Sequence, residues 1–198
     1  LKDIIDSEAF SVVRLSKIYR QAESSHIVLN AHKINAGELI TLDNKNKDFF
    51  FFEKKDVRSV MGALVYLVKT RLPEYIGASP FEIQVLTPMR KGELGVEHLN
   101  EVLQYYLNPA SESKKEKEGR TGVFREGDKV MQVKNNYKLE WKITNAKGFS
   151  IEEGLGVFNG DMGIIKQINT YSERITVVFD ENREAEYPFS SLDELELA

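Results

Sequence analysis

The sequence has 198 residues and a net charge of −4; 41% of its residues are hydrophobic, enough for a packed core, and the charge alone does not indicate a nucleic-acid-binding protein. The absence of cysteine excludes disulfides, thiolate catalysis and cysteine-ligated zinc, and the three histidines have no metal-ligand spacing. No apolar run approaches the roughly 18 residues of a membrane span, so we expect a cytoplasmic protein with no metal site and no membrane partner.

The first part of the chain alternates between strand and helix patterns. Residues 11–15 predict a strand, and a loop with Arg20 and Gln21 follows. A helix is predicted over about residues 25–35, and the four phenylalanines at 49–52 favour a second strand. The planar, permanently charged guanidinium of Arg20 suits a phosphate in a neighbouring site, and a surface ion pair is the alternative.

The next segment has the clearest helix signals. Asp56 is suited to cap a strongly periodic helix that should end near residue 72, because Pro73 follows. A strand is then predicted over residues 81–86 and a helix over about 96–107. Strands that alternate with helices at this spacing predict a mostly parallel sheet covered by helices.

A short basic loop joins the strand at 81–86 to the next helix. Thr87 ends the strand, Pro88 forces a turn, and Arg90 and Lys91 place positive charge at that edge. Open α/β sheets bind ligands at this edge, and the helix N-terminus adds free amide groups. The loop therefore suits the backbone of a single nucleic-acid strand; the alternative is an ordinary loop with solubilising charges.

The pattern changes from α/β to all-β after a polar linker at residues 110–122. Short strand patterns follow at 129–134, 163–168, 174–179 and 184–187, which predicts a small β-barrel. The last residues alternate like a strand that returns to the α/β sheet. The predicted domains are therefore an α/β domain at 1–122, an inserted barrel at 123–188 and a return strand at 189–198.

Particular features are expected within the barrel. Asn159-Gly160 indicates a type I′ hairpin, and residues 136–156 predict a long loop because they have no clear period. The side chains of Phe158 and Met131 are expected in the core.

The same half of the chain has a local excess of positive charge. Residues 114–147 contain ten lysines and arginines against five acidic residues. A local basic stretch can bind phosphates whatever the total charge, and a solvated loop is the alternative. Small barrels often present aromatic and basic residues on one face to nucleic acid, and the candidates here are Lys134, Asn135, Asn136, Tyr137 and Asn159.

The patterns of an independent enzyme do not occur in this sequence. There is no Gly-x-x-x-x-Gly-Lys-Ser/Thr loop to hold a nucleotide phosphate, and no Ser/His/Asp set or carboxylate pair stands out. A nucleic-acid-binding module, a protein-interaction barrel and part of a larger enzyme are all open at this point.

Seven short motifs follow one another along nearly the whole chain. They are Leu-x-x-Ile-Tyr-Arg-Gln at 15–21, Ala-His-x-Ile-Asn-x-Gly at 31–37, Val-Leu-Thr-Pro-Met-x-x-Gly at 85–92, Gly-x-x-x-Leu-Asn at 95–100, Gly-Asp-Lys-Val-Met-Gln at 127–132, Asn-Asn-Tyr at 135–137 and Val-Phe-Asn-Gly-Asp-x-Gly at 157–163. Each motif alone is weak. In this order they resemble the RecD/TraA family of superfamily 1 DNA helicases, which includes the α subunit of exodeoxyribonuclease V.

The resemblance implies an ATP-dependent DNA helicase with two RecA-like motor domains of the P-loop NTPase type, moving 5′ to 3′ along single-stranded DNA. This chain would be an incomplete second motor domain interrupted by an SH3-like β-barrel, and alone it is expected to be inactive. In the full-length protein, ATP and Mg²⁺ would be bound mainly by the first motor domain. Single-stranded DNA, duplex junctions and, in an exodeoxyribonuclease V-type assembly, nuclease-complex subunits would be the partners. A non-enzymatic nucleic-acid-binding module is the alternative function.

The resemblance also implies roles for individual residues. Arg20 would be the arginine finger that reaches the γ-phosphate across a domain cleft, with Gln21 beside the nucleotide. Residues 136–156 exceed the length expected from the family and are interpreted as a lineage-specific surface loop. The DNA-binding candidates are Thr87, Pro88, Met89, Arg90, Lys91, Asn135, Asn136 and Asn159.

Overall fold

The computed structural model describes residues 2–13, 25–45, 48–120, 122–145 and 147–198. The chain divides into two compact units, Leu1–Lys54 and Lys55–Ala198. The candidates Arg20 and Gln21 lie outside the described residues. Among the helices that the structure describes, none is both long and apolar enough to span a bilayer.

The first unit contains two helices, α1 (Lys2–Asp6) and α2 (His26–Asn35). The start of α2 is held by Asp48, whose carboxylate accepts hydrogen bonds from the Ser25 hydroxyl at 2.6 Å and from the His26 amide at 3.1 Å. The hydrogen bond from Ser25, above all, lowers the pKa of Asp48. The carboxylate therefore stays ionised at the end of the helix where the dipole favours negative charge.

The strands predicted for this unit do not occur among its described residues. Residues 11–13 and 49–52 are not in strands. The side chain of Asn44 instead brackets Phe51, donating to its carbonyl at 2.8 Å and accepting from its amide at 2.6 Å. The Asn44 side chain thus satisfies the backbone groups of Phe51 that a neighbouring strand would otherwise pair with. The run of four phenylalanines was therefore a misleading strand signal.

The second unit begins with a helix whose start was predicted correctly. In α3 (Val57–Tyr66), the N-cap is Asp56. Its carboxylate accepts hydrogen bonds from the Ser59 amide at 2.9 Å and the Ser59 hydroxyl at 2.7 Å, satisfying an amide that has no partner within the helix.

The predicted end of this helix before Pro73 is wrong. A π-helical turn (Leu67–Arg71) leads into α4 (Leu72–Ile76), and Pro73 stands in the first turn of α4. The Leu72 amide donates to the Leu67 carbonyl, five residues earlier. This wider turn accommodates a residue that has no amide to donate, so the chain remains helical through the proline.

The segment after α4 is extended but unpaired. A 3₁₀ turn (Pro80–Glu82) begins at Ser79, and the chain then runs extended, with half-buried residues at 83, 85 and 87 and exposed residues at 84 and 86. In the described parts of the chain no strand pairs with it, and every strand pair is antiparallel. The predicted parallel sheet is therefore not observed, because the described chain supplies no neighbouring strand for this segment.

The remaining described elements are one α-helix, nine strands and two short 3₁₀ helices, Asp180–Asn182 and Phe189–Glu194. The helix is α5 (Val96–Leu107), as predicted. The strands are β1 (Glu116–Glu118), β2 (Val123–Arg125), β3 (Lys129–Gln132), β4 (Asn136–Thr144), β5 (Ser150–Val157), β6 (Met162–Asn169), β7 (Arg174–Phe179), β8 (Glu184–Pro188) and β9 (Leu195–Leu197). β1 pairs with β2, and the other seven form one antiparallel sheet in the order β5-β4-β8-β7-β6-β3-β9. We call residues 116–198 the β domain.

Alternate residues of these strands, together with Leu192 from the 3₁₀ helix before β9, form the core of the β domain. Removing these apolar side chains from water is the main favourable contribution to folding. The prediction of a β-rich second part is confirmed. The buried core residues are Phe124, Val130, Val157, Ile165, Ile168, Ile175, Val177, Phe179, Ala185, Tyr187, Leu192 and Leu195.

The predicted loop at residues 136–156 is mostly a pair of strands. β4 and β5 pair with each other, with Trp141 opposite Gly154. A Cβ atom at Gly154 would lie 2.3 Å from the Trp141 ring, so the glycine makes room for the indole. β5 is the edge strand and the pairing has two register shifts, which explains why the sequence shows no clean alternation.

The Asn159-Gly160 pair is in a turn, but not in the predicted hairpin. The strands on either side, β5 and β6, are not neighbours in the sheet. A type I′ turn needs positive φ at both residues, and only Gly160 has it, at 97°. The expected core positions are also wrong: Phe158 is 42% exposed and Met131 is half-buried.

The strand near the end of the chain pairs with the β domain. β9 lies antiparallel to β3, with Leu197 opposite Val130 and Leu195 opposite Gln132. It is the last strand in the sheet order, so no described strand pairs with its outer edge. The return of residues 189–198 to an α/β sheet therefore stays a prediction.

Candidate nucleic-acid interface

The basic loop (residues 87–95) lies between the extended segment and α5 and is closed by its own hydrogen bonds. The Thr87 hydroxyl donates to the Leu94 carbonyl at 2.7 Å, across the whole loop. The Gly95 amide donates to the Gly92 carbonyl at 2.9 Å, and Gly92 has φ +98°, which glycine adopts without strain. The loop therefore has a defined shape although its tip is exposed.

The loop also occupies the start of α5. The amides of Val96 and Glu97 donate to the carbonyls of Met89 at 3.0 Å and Arg90 at 3.3 Å. These first-turn amides have no partner inside the helix, so the loop carbonyls satisfy them. The expectation that they are free to bind a phosphate is therefore wrong.

Gly95 permits this close packing of loop and helix. A Cβ atom at this position would lie 2.5 Å from the Lys91 carbonyl carbon, 2.6 Å from its oxygen and 2.8 Å from the Arg90 carbonyl carbon. These are backbone atoms, which cannot rotate away. Only glycine fits at the junction.

The exposed side chains of the loop differ in how they are engaged. Pro88, Met89 and Lys91 are exposed. Arg90 forms an ion pair with Glu196 of β9, and its Nε lies 3.9 Å from a carboxylate oxygen of Glu97. The hydrogen bond with Glu196 is the main reason why the pKa of Arg90 is raised. A phosphate that approaches Arg90 therefore meets a guanidinium already paired with a carboxylate.

The structure brings together two of the three candidate asparagines. The side-chain oxygen of Asn135 accepts a hydrogen bond from the Asn159 amide at 2.9 Å, and its Nδ2 donates to the Tyr137 hydroxyl at 3.3 Å. All three residues are exposed. Asn135 thus ties the turn before β4 to the turn after β5.

Asn136 points instead to a buried polar network. Its Nδ2 donates to Glu194 Oε2 at 2.9 Å, and Gln132 donates to the same oxygen at 3.1 Å. Gln132 is fully buried, and its oxygen accepts a hydrogen bond from the Tyr187 hydroxyl at 2.8 Å. Burial raises the pKa of Tyr187, which keeps the phenol protonated and able to donate. Asn136 is therefore part of the internal support of this edge.

A second buried network was not predicted from the sequence. Asp128 is buried and accepts hydrogen bonds from Gln104 at 2.6 Å, Asn108 at 2.7 Å and the Arg125 amide at 2.6 Å. It attaches α5 and the residue after it to the start of β3. Glu196 was also missed, because nothing near it in the sequence indicates a partner in the basic loop.

An apolar cavity lies beside the extended segment. Its volume is about 280 Å³, and Ile83 and Val85 line one side of it. Two polar contacts cross its rim, from Lys129 to Gln84 at 2.9 Å and from Asn100 to the Leu197 carbonyl at 2.5 Å. The extended segment, α5 and the β3–β9 pair are thus held together around an incompletely filled core.

Comparison with known proteins identifies the β-rich part. Residues 99–179 match the family model described as the SH3 domain of ATP-dependent RecD-like DNA helicases. The chain is also 31% identical over 176 residues to the ATP-dependent RecD2 DNA helicase of Deinococcus radiodurans. The chain belongs to the RecD-like DNA helicase family.

The extent of these matches agrees with the packing of the chain. The RecD-like SH3 match begins at Leu99, inside α5, and ends at Phe179, the last residue of β7. It therefore includes the helix that Asp128 attaches to β3. The relative's alignment covers 89% of this chain and 20% of the relative, so the chain spans about a fifth of that helicase's length.

The described residues of this RecD-like chain contain no candidate metal site. In the ranges that the structure describes, no group of three or more histidine and carboxylate side chains is arranged to hold a metal ion. The sequence has no phosphate-cradling glycine loop with a lysine. The described residues do not by themselves fit a nucleotide with its Mg²⁺.

Proposed function

We propose that this chain is part of an ATP-dependent DNA helicase that moves 5′ to 3′, and that it supplies a section of the single-stranded DNA track. The observation that carries the proposal is the basic loop. A frame of backbone hydrogen bonds around Gly95 holds Met89, Arg90 and Lys91 at an exposed surface. A preorganised loop contacts a flexible strand at lower entropic cost than a mobile one. Family membership supports DNA as its ligand.

We further propose that residues 1–122 belong to the second RecA-like motor domain, that residues 123–188 are the SH3-like barrel inserted in it, and that residues 189–198 return to the motor domain. The alternating burial of residues 83–87 supports a core strand of an α/β domain. The apolar cavity beside Ile83 and Val85 is where further core elements of such a domain would pack. The outer edge of β9, which pairs with no described strand, supports a continuation of the sheet there.

The nucleotide site of this helicase is proposed to lie mainly in the first motor domain. ATP and Mg²⁺ would supply the transferable phosphoryl group and the charge that offsets its negative oxygens. This chain would contribute Arg20 as the arginine finger, with Gln21 beside the nucleotide. A guanidinium is suited to that position because it is always charged and planar.

The DNA contacts are divided between two groups in this proposal. Thr87, Pro88 and Met89 would shape the track, and Arg90 and Lys91 would face phosphates. Asn135 and Asn159 would contact DNA at the edge of the β domain, with Asn136 contributing through its support of that edge. Arg90 pairs with Glu196 and Asn136 with Glu194, so both groups border the same stretch of chain around β9.

Replacing Lys91 by Ala in the full-length protein tests the track. We expect weaker binding to single-stranded DNA. The slope of log Kd against log salt concentration should fall by about one, because a lysine that contacts a phosphate releases about one counterion. Lys147→Ala is the matched control, since Lys147 is also exposed but lies at the tip of the β4–β5 hairpin. The measurement is fluorescence anisotropy over a salt series. An unchanged salt slope in the Lys91 variant would contradict the track assignment.

A non-enzymatic nucleic-acid-binding module is the second candidate, favoured by the fact that the matched family model describes the SH3 domain and not a motor domain. The two differ in their dependence on ATP. A helicase unwinds a duplex with a 5′ tail only when ATP is hydrolysed, whereas a binding module does not respond to ATP.

Copurification of nuclease subunits with the full-length protein would place it in an exodeoxyribonuclease V-type assembly.

A further inference from the structure

Two aromatic rings stand together at the exposed edge of the β domain. Tyr137 is 67% exposed and Phe158 is 42% exposed. Their ring centroids are 5.5 Å apart and their planes are inclined by 70°, an edge-to-face arrangement. The edge of one ring packs against the face of the other, and most of the Tyr137 side chain remains exposed to solvent.

Polar contacts fix the Tyr137 hydroxyl and the backbone at Phe158. Asn135 joins the Tyr137 hydroxyl to the Asn159 amide, with contacts of 3.3 and 2.9 Å. The Asp161 carboxylate accepts a hydrogen bond from the Phe158 amide at 3.0 Å. Fixed aromatic side chains that are not needed for a core are suited to contact a ligand, because little conformational entropy is lost on binding.

The backbone under Phe158 is also shaped for its ring. Gly156 has φ +98°, and a Cβ atom there would lie 2.9 Å from Cζ of Phe158. The ring therefore lies close over the glycine. A side chain at Gly156 would push the ring away from Tyr137.

Three charged side chains around this edge, Lys134, Asp161 and Glu194, already have partners. Lys134 pairs with Asp193, and Asp161 lies 3.8 Å from Arg183. Glu194 accepts the hydrogen bonds from Asn136 and Gln132. The edge therefore offers aromatic faces and amides more than free positive charge, which favours contact with a base over contact with a phosphate.

We propose that Tyr137, supported edge-on by Phe158 and fixed by Asn135, is a stacking platform for one unpaired nucleobase of the DNA strand. This rests on the proposed function, since it assumes that the full-length protein binds single-stranded DNA. A base stacks on an aromatic face whatever its identity, and such a contact changes affinity by roughly tenfold. Because stacking involves no counterion release, its contribution does not depend on salt, unlike that of Lys91.

The test uses the full-length protein and a fluorescein-labelled oligothymidylate longer than about 16 nucleotides, the upper site size for a single β-barrel module. We expect Tyr137→Ala to weaken binding roughly tenfold, and by the same factor at low and at high salt. Tyr137→Phe should retain binding because the aromatic ring remains. Tyr171→Ala is the matched control, since Tyr171 is 98% exposed in the turn after β6. Thermal unfolding of each variant verifies that it is folded.

Two further comparisons make the outcome decisive. On an oligonucleotide of the same length with abasic sites throughout, Tyr137→Ala should bind as the wild type does, because no base is present to stack. Tyr137→Leu keeps apolar bulk without an aromatic face and should behave like Tyr137→Ala. Normal binding by Tyr137→Ala would contradict the proposed stacking platform. Normal binding by Tyr137→Leu would also contradict it, because it would indicate apolar packing instead of stacking on an aromatic face. Failure of the wild type to bind DNA at all would instead overturn the proposed function.

Discussion

Asp128 is one of the residues that attach α5 to the β domain. Its carboxylate is buried and accepts hydrogen bonds from Gln104, Asn108 and the Arg125 amide. Burial raises its pKa above the usual aspartate value, in spite of these donors and the nearby Arg125 charge. The folded chain therefore binds a proton at this site more tightly than the unfolded chain does.

Replacing Asp128 by Asn should destabilise the chain and change its response to pH. The asparagine side chain would place an NH₂ group opposite hydrogen-bond donors that now face a carboxylate oxygen. We expect the free energy of unfolding to fall by about 1–3 kcal/mol. The contribution of Asp128 to the free energy of unfolding is greatest below the usual aspartate pKa and falls as pH rises through the raised pKa. The advantage of wild type over Asp128→Asn should therefore shrink as pH rises through this range.

Urea denaturation of the two chains at a series of pH values measures this advantage. Trp141, the only tryptophan of the chain, packs against the β-domain core and reports its unfolding. An advantage that instead grows with rising pH would mean that the hydrogen bonds outweigh burial and that the pKa is lowered.

At the scale of elements, the basic loop and the start of α5 are held together by shared hydrogen bonds and close packing. The loop supplies the acceptors for the first amides of α5, and the backbone at Arg90 and Lys91 packs against Gly95. The shape of the loop and the start of the helix are therefore determined together. A change that separates them would alter the presentation of the proposed DNA contacts without touching those side chains.

Gly95→Ala is the change that separates loop and helix. The new methyl group would lie within 2.5 to 2.8 Å of backbone atoms at Arg90 and Lys91. We expect about 1–3 kcal/mol of destabilisation and, in the full-length protein, weaker DNA binding, because the loop must move. The control is Gly62→Ala in α3, where a Cβ atom meets nothing within 4 Å and alanine should stabilise the helix by about 0.5–1 kcal/mol.

Denaturation and DNA-binding titrations of both variants decide the point. Equal effects of the two substitutions on stability would show that the loop adapts to a side chain at 95. Unchanged DNA affinity in Gly95→Ala, with its stability lowered, would show that the loop is not part of the DNA track.

Elements that depend on nearby residues were predictable from the sequence. The Asp56 cap, the extent of α5 and the strands β3, β6, β7 and β8 follow from local spacing, which the structure preserves. The extended segment at 83–87 has the burial pattern of a strand but no strand partner among the described residues, and a strand pattern contains no information about its neighbour. The β4–β5 hairpin was missed because β5 is an exposed edge strand and its pairing with β4 has two register shifts, so the residues do not alternate cleanly.

The candidate site shows the same division. Sequence placed the basic loop and brought Asn135, Asn159 and Tyr137 into one proposal, because each lies in a short motif. It could not show that Arg90 is paired, since Glu196 is 106 positions away in the chain. It also could not show that Phe158 is exposed, because a phenylalanine beside a strand is usually buried.

At the scale of the whole molecule, the chain spans about a fifth of the length of its helicase relative. The described residues do not form a nucleotide site with a metal-binding group. In a two-domain motor, such a part contributes to catalysis only through groups that reach a nucleotide bound elsewhere. The proposed role of Arg20 is therefore a property of the complete helicase and has to be measured there.

Replacing Arg20 by Ala in the full-length protein should lower ATP turnover by about 10³- to 10⁵-fold, because an arginine finger stabilises charge that develops only in the transition state. Affinity for single-stranded DNA should be unchanged, since Arg20 is not assigned to the track. Arg58→Ala, which removes an exposed arginine on α3, is the control and should leave turnover normal. ATP hydrolysis at saturating DNA and DNA-binding titrations measure the two quantities. Normal turnover in Arg20→Ala would remove Arg20 from the catalytic site, whereas loss of DNA binding along with turnover would indicate a structural role.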